Sequence, residues 1–147
     1  PLDSKLKFVK KMVRLHLRAI ALVKGSVTDA ALRRLLNEAG DDIDNLMMLC
    51  NADITSKNDY RVKKYKRNFE IVIQKLKDVE ERDSIRNFQP PINGEFIMKT
   101  FKISPCKEVG LIKSKLKEAI LDGEIENTFD QAYNEMLKIA EKLGLKI

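Results

Sequence analysis

From Val62 to Val79 one row of apolar residues, Val62, Tyr65, Phe69, Val72, Leu76 and Val79, is separated by steps of 3, 4, 3, 4 and 3. That spacing puts all six on one side of an α-helix and on no single side of a strand. With its flanks the seam predicts a helix of about 25 residues, roughly 35–40 Å long. A helix that long in a chain of 147 residues is expected to bridge two helical packing units.

Other segments repeat the helical period. Ser4 reads as the cap of a first helix with Leu6, Val9, Met12, Val13 and then His16 on its apolar side. After VKGSVTD, Thr28 caps a second with Leu32, Leu35, Leu36 and Ala39 on one face and Gly40 as its stop. A third, from about Asp42, aligns Ile43, Leu46, Met47, Cys50 and Asp53. Beyond RNFQPPINGE, Asn93 caps a short helix carrying Phe96, Ile97 and Phe101. Ser104 with Pro105 at the first helical position opens the next, with Val109, Ile112, Leu116 and Ile120. Thr128 and Gln131 form a capping box for the last, which buries Ala132, Tyr133, Met136, Leu137 and Ala140. A hydrophobic fraction of 44% with only 6 Gly and 4 Pro agrees with an all-α fold of about seven helices. Pro90-Pro91 marks the expected division, giving segments 1–57, 58–89 (the long helix) and 90–147.

No apolar run approaches the roughly 18 residues of a membrane span, so no membrane partner is expected. No secretory leader opens the chain, and Cys50 and Cys106 read as reduced thiols in apolar surroundings, which suits the cytoplasm. The opening PLDSKLKFVKK lacks an initiator Met and reads as part of a longer protein.

Charge is blocked along the chain, within a net +6. Ser4 to Lys24 holds seven bases and no acid; residues 29–59 hold seven acids against three bases; residues 61–77 hold seven bases against one acid. On the long helix Lys57, Arg61, Lys63, Lys64, Lys66 and Arg67 crowd the start, while Asp78, Glu80, Glu81 and Asp83 crowd the end. The helix dipole prefers the reverse by roughly 0.3–1 kcal/mol per charge. Either neighbouring helices compensate these charges, or a phosphate backbone lies against Arg61, Lys63, Lys64 and Arg67, with Tyr60 and Tyr65 available for stacking.

FKISPCKEVG poses a similar choice. It is a plain capped joint, or a helix start that takes an anion with Lys102, Lys107 and Lys113 around it. His16 and Asp53 lie at the ends of apolar stripes. They make local hydrogen bonds or satisfy each other, or Asp53 is one metal ligand that needs at least two more. No glycine-rich phosphate loop, Ser/His/Asp arrangement or zinc spacing is present, so no catalytic residue is assigned.

Two long strings carry a resemblance. VRLHLRAIALVKGSVTDAALRRLLNEAGDDIDNLMMLCNADITSKN is similar to the later half of the HD domain in one group of bacterial tRNA nucleotidyltransferases. RNFQPPINGEFIMKTFKISPCKEVGLIKSKLKEAILDGEIENTFDQAYNEML is similar to the C-terminal helical region of the same enzymes. Together they resemble the CCA-adding enzyme and poly(A) polymerase family, in the type with an embedded HD domain. The resemblance implies a parent enzyme that extends tRNA 3′ ends with Mg²⁺ and CTP or ATP. Its catalytic head has no counterpart in this chain, so the fragment alone is expected to be inactive and to carry no cofactor.

It also implies that residues 1–57 are the C-terminal part of an HD-like domain, and that 90–147 form a tail holding tRNA. Asp53 stands where the family has its final HD-type aspartate. The chain departs from the pattern at Lys102 and Cys106, where glycines are expected, and at Ala19, where a proline is common. Two other classes stay open: a remnant of an HD-type metal-dependent phosphohydrolase, and a helical interaction module that forms a homodimer through the heptad seam.

Overall fold

The computed structural model describes residues 1–25, 27–54, 58–83, 85 and 88–147. Among them are seven α-helices, one 3-10 turn and no strand, the all-α class expected. The chain divides into two compact units, Pro1–Phe88 and Gln89–Ile147, next to the Pro90-Pro91 step.

The first unit holds α1 (Leu2–Lys24), α2 (Asp29–Ala39), a 3-10 turn (Gly40–Asp42), α3 (Ile43–Ala52) and α4 (Asp59–Asp83). The Thr28 hydroxyl accepts the Ala31 N–H at 3.2 Å, so α2 starts as its cap residue dictates. It buries Leu32, Leu35, Leu36 and Ala39, and Gly40 ends it at φ 56° and ψ −133°, a conformation open essentially to glycine. α3 buries Ile43, Leu46, Met47 and Cys50. α4 has 25 residues, inside the expected span of 58–89, and packs along α1 and α2 as a core helix of this unit. Its seam is fully buried only at Val72, Leu76 and Val79; Val62, Tyr65 and Phe69 are half-buried. Beyond it, Ile85 and Phe88 are buried as well.

α1 departs most from expectation. It begins at Leu2, and Ser4 lies inside it, its hydroxyl donating to the Pro1 carbonyl at 2.9 Å. The buried stripe is Met12, Leu15, Ala19 and Val23, whereas Leu6, Val9 and Val13 are exposed. α1 carries two apolar stripes, and its neighbours α2, α3 and α4 cover the second.

The second unit packs α5 (Gly94–Phe101) and α7 (Phe129–Lys142) against α6 (Lys107–Asp122). Its core joins Ile92, Ile97, Phe101, Val109, Ile112, Leu116, Ala132, Met136, Ile139 and Ala140; each buried Val, Ile, Leu, Met or Phe side chain among them contributes about 1.5–3 kcal/mol. Tyr133 and Leu137, expected inside, are partly buried at its edge. Asn93 caps α5 as expected, its Oδ1 accepting from Phe96 N–H at 2.9 Å. The expected Thr128–Gln131 box does not close. Thr128 makes no side-chain cap bond, and Gln131 Oε1 reaches past it to accept the Glu126 N–H at 2.7 Å.

All three helices of this unit end in one way. Ile103 N–H donates to Met98 O at 3.0 Å, Glu124 N–H to Ala119 O at 3.0 Å, and Leu145 N–H to Ala140 O at 2.9 Å. Each is a six-to-one closure around a left-handed residue. Two of those residues are Gly123 at φ 76° and Gly144 at φ 78°; the third is Lys102 at φ 53°.

Candidate nucleic-acid interface

The two ends of α4 are treated differently by the fold. At the acidic end Arg33 Nε donates to Asp83 Oδ2 at 2.8 Å, and Arg82 binds both Asp83, at 3.0 Å, and Asp29, at 2.9 Å. This cluster ties the start of α2 to the end of α4. The Arg82 and Arg33 hydrogen bonds hold the Asp83 carboxyl below its ordinary pKa against a smaller opposing effect of burial.

At the basic end Arg61, Lys63, Lys64, Lys66 and Arg67 are all exposed, and none has an ion pair among the described residues. Lys63, Lys64 and Arg67 fall within an arc of about 100° of the helix, and Arg61 lies about 60° beyond Lys64 toward the seam. Lys57, assigned to the same block, lies outside the described residues. Tyr60 is exposed. Tyr65 is half-buried under Lys24, whose Nζ lies 5.5 Å from the ring centre, so Tyr65 is not free to stack on a base.

The basic block of α1 is partly used within the unit. Lys11 Nζ donates to Ala39 O at 2.6 Å and to Asp42 at 2.8 Å, and Arg18 and Arg14 both address Glu38. These contacts clamp α1 to the end of α2.

In the second unit the expected start of α6 is overturned. Pro105 is not helical; α6 begins at Lys107 with Cys106 as its N-cap and no side-chain cap bond from that residue. Glu108 is the acidic residue in the first turn of α6. Its carboxylate accepts its own backbone N–H and the Cys106 thiol, and these bonds hold it below the ordinary glutamate pKa. The helix start thus already has an anion of its own, which balances Lys107 in the first turn. Cys106 is exposed, not in apolar surroundings.

Lys102 and Lys107 flank the connection between α5 and α6 and are both exposed. Lys113 lies about 120° around α6 from Lys107, so the two do not form one row. Lys113 and Lys117 instead line an open groove of about 590 Å³ with Gln89, Pro91, Asn93 and Ser114. The Lys113 stem runs beside the first residue of α5, its Cδ 3.6 Å from where a Gly94 Cβ would stand. Lys117 follows Lys113 by four residues and so lies on the same side of α6.

Asp53 is not on the buried stripe of α3. Its side chain is half-exposed at the helix end, 3.0 Å from His16 Nε2. The other ring nitrogen of His16 faces Cys50 Sγ at 3.8 Å. Histidine and aspartate satisfy each other, and among the described residues no three His, Cys, Asp or Glu side chains are grouped to hold a metal. Cys50 is buried, and burial, with the nearby Asp53 charge, pushes its thiol up to about 11. A thiol so protonated is not a nucleophile at neutral pH. No helix among the described residues is long and apolar enough to cross a membrane.

No family model, curated protein or solved structure matches this chain.

Proposed function

We propose that this chain is the tRNA-holding part of a nucleotidyltransferase of the CCA-adding or poly(A) polymerase family. It would grip the RNA backbone, while nucleotide addition with Mg²⁺ and CTP or ATP belongs to the catalytic head of that enzyme. The observation that carries the reading is the asymmetry of α4. At its acidic end Asp83 is paired with Arg33 and Arg82, whereas Arg61, Lys63, Lys64 and Arg67 face solvent without an ion pair among the described residues. Exposed cations with no internal role suit phosphates, whose recognition depends on charge and shape more than on base sequence. Lys102, Lys107 and Lys113 are the second set, acting through side chains rather than through the α6 start, where Glu108 already sits.

The test is tRNA binding measured against salt. Binding should be weak and steeply salt-dependent, and Lys63→Glu with Arg67→Glu should weaken it and lower the salt slope by about 2. Salt-insensitive binding, or a double variant that binds as well as the parent, would refute the reading. The phosphohydrolase alternative is not taken further, because the Asp53 carboxylate is engaged by His16.

A further inference from the structure

Gly110 lies within α6 and is exposed. A glycine inside a helix is less stable than an alanine, because it loses more backbone freedom on folding. Packing does not require this one. It holds no positive φ, and an added Cβ would meet nothing within 4 Å. At Gly94, by contrast, a Cβ would touch the Val109 and Lys113 side chains at 3.5 and 3.6 Å. A helical glycine without an internal reason leaves a bare surface on which another molecule's backbone can lie close.

Gly110, Lys113, Ser114 and Lys117 fall within an arc of about 100° around α6. The last three line the open groove of about 590 Å³, and Gln89, Pro91 and Asn93 complete it from the segment leading into α5. All of them belong to the second unit. Lys113, Ser114, Lys117 and the Gln89 amide have no ion pair or side-chain hydrogen bond among the described residues. Asn93 Oδ1 is taken by the Phe96 N–H at 2.9 Å, which leaves its NH₂ as a donor. Among the described residues no carboxylate and no aromatic ring lines the groove.

We propose that this groove holds a strand of RNA by its sugar–phosphate backbone and reads the ribose 2′-hydroxyl, so that the second unit takes RNA in preference to DNA. The inference rests on the RNA-holding reading above and adds Gly110, Gln89, Ser114 and Lys117 to it. Lys113 and Lys117 are about 6 Å apart along the helix axis, close to the step from one phosphate to the next on a strand. Ser114 and Gln89 each donate and accept, which matches a ribose hydroxyl that does both. Pro91 has no N–H to leave unpaired and sets an apolar ring against the sugar. Gly110 stands one turn before Ser114, so a backbone leaving the groove toward the start of α6 crosses bare helix. An open groove suits a continuing chain, whereas a free nucleotide calls for an enclosed and mostly apolar pocket. With no ring to stack on, bases are not read.

The test measures the full chain on an RNA hairpin and on the DNA hairpin of the same sequence, with a Glu-rich peptide of equal charge as competitor. RNA should bind at least about fivefold more tightly than DNA. Ser114→Ala should bring that preference down to about twofold at an unchanged salt slope, which loss of a phosphate contact alone would not do. Lys113→Gln with Lys117→Gln should lower the slope by about 2. Gly110→Gln should weaken RNA binding about fivefold even though the melting temperature rises.

Equal binding of RNA and DNA, a preference untouched by Ser114→Ala, or a Gly110→Gln chain that binds RNA as well as the parent would overturn the proposal. So would an unchanged slope in the double lysine variant, or displacement of the RNA by the peptide at equal charge concentration. If Lys63→Glu with Arg67→Glu weakens tRNA binding while the groove variants leave it unchanged, the groove is refuted and the tRNA-holding reading stands. A chain that binds no RNA refutes both.

Discussion

Replacing Lys102 by glycine tests the physical account of the turn between α5 and α6. Lys102 holds φ 53° and ψ 43° and is the one non-glycine residue at positive φ among the described residues. A residue with a Cβ is less stable there than in the right-handed region by about 1–2 kcal/mol. Glycine removes that cost but adds about 0.5–1 kcal/mol of entropy to the unfolded chain. The Lys102 side chain is exposed, so its contacts contribute little, and Lys102→Gly should stabilise the second unit by about 0.5–1 kcal/mol.

Gly144 supplies the internal control. It ends α7 in the same motif at φ 78°, and an added Cβ would meet nothing within 4 Å. Gly144→Lys therefore introduces conformational strain without a clash, and should lose what Lys102→Gly gains. Native-state hydrogen exchange at the Ile97, Phe101 and Ile112 amides reads the stability of this unit directly, and urea midpoints at unchanged m-value check it. A neutral or destabilising Lys102→Gly beside a destabilising Gly144→Lys would refute the argument. In the tRNA assay the same substitution removes one cation, so the salt slope should fall by about 1 as the fold becomes firmer.

Asp83→Asn should cost roughly 1–3 kcal/mol at pH 7, because it removes the charge from the acceptor that Arg33, whose side chain is 14% exposed, meets at 2.8 Å. The folded pKa of Asp83 lies below the unfolded value, so its contribution is complete above about pH 4 and lost as pH falls below that. The difference between parent and variant in urea titrations should accordingly shrink at pH 3 and below; a constant difference would refute it. A thiol reagent at pH 8 should label Cys106 quickly and Cys50 only on unfolding, since Cys50 is 1% exposed and its thiol is pushed up to about 11. Two equivalents released at once without denaturant would show that the first unit opens readily.

The linear pattern alone determined those elements whose apolar residues form one stripe and whose caps act locally. α2 is the clearest: Thr28 caps it, Leu32, Leu35, Leu36 and Ala39 are its buried face, and Gly40 stops it. α6 follows the same logic, with Val109, Ile112, Leu116 and Ile120 buried as spaced. Helical period and steric limits at glycine and proline act over a few residues and can be read without knowing the neighbours.

Tertiary structure decided the rest, because the choice lay between alternatives of equal local merit. α1 offers two apolar stripes, and only the arrival of α2, α3 and α4 selects Met12, Leu15, Ala19 and Val23, leaving Leu6, Val9 and Val13 outside. Ser104-Pro105 and Cys106-Lys107 are both admissible helix starts; in the fold α6 begins at Lys107 with Cys106 as its N-cap. His16 and Asp53 lie 37 residues apart and meet at 3.0 Å only because α1 and α3 pack together. The sequence presents α4 as a charge-inverted helix, but the pairing of Asp83 at its acidic end depends on where Arg33 of α2 comes to rest. Long-range placement of charge follows from packing, and packing is a property of the whole unit rather than of any segment in it.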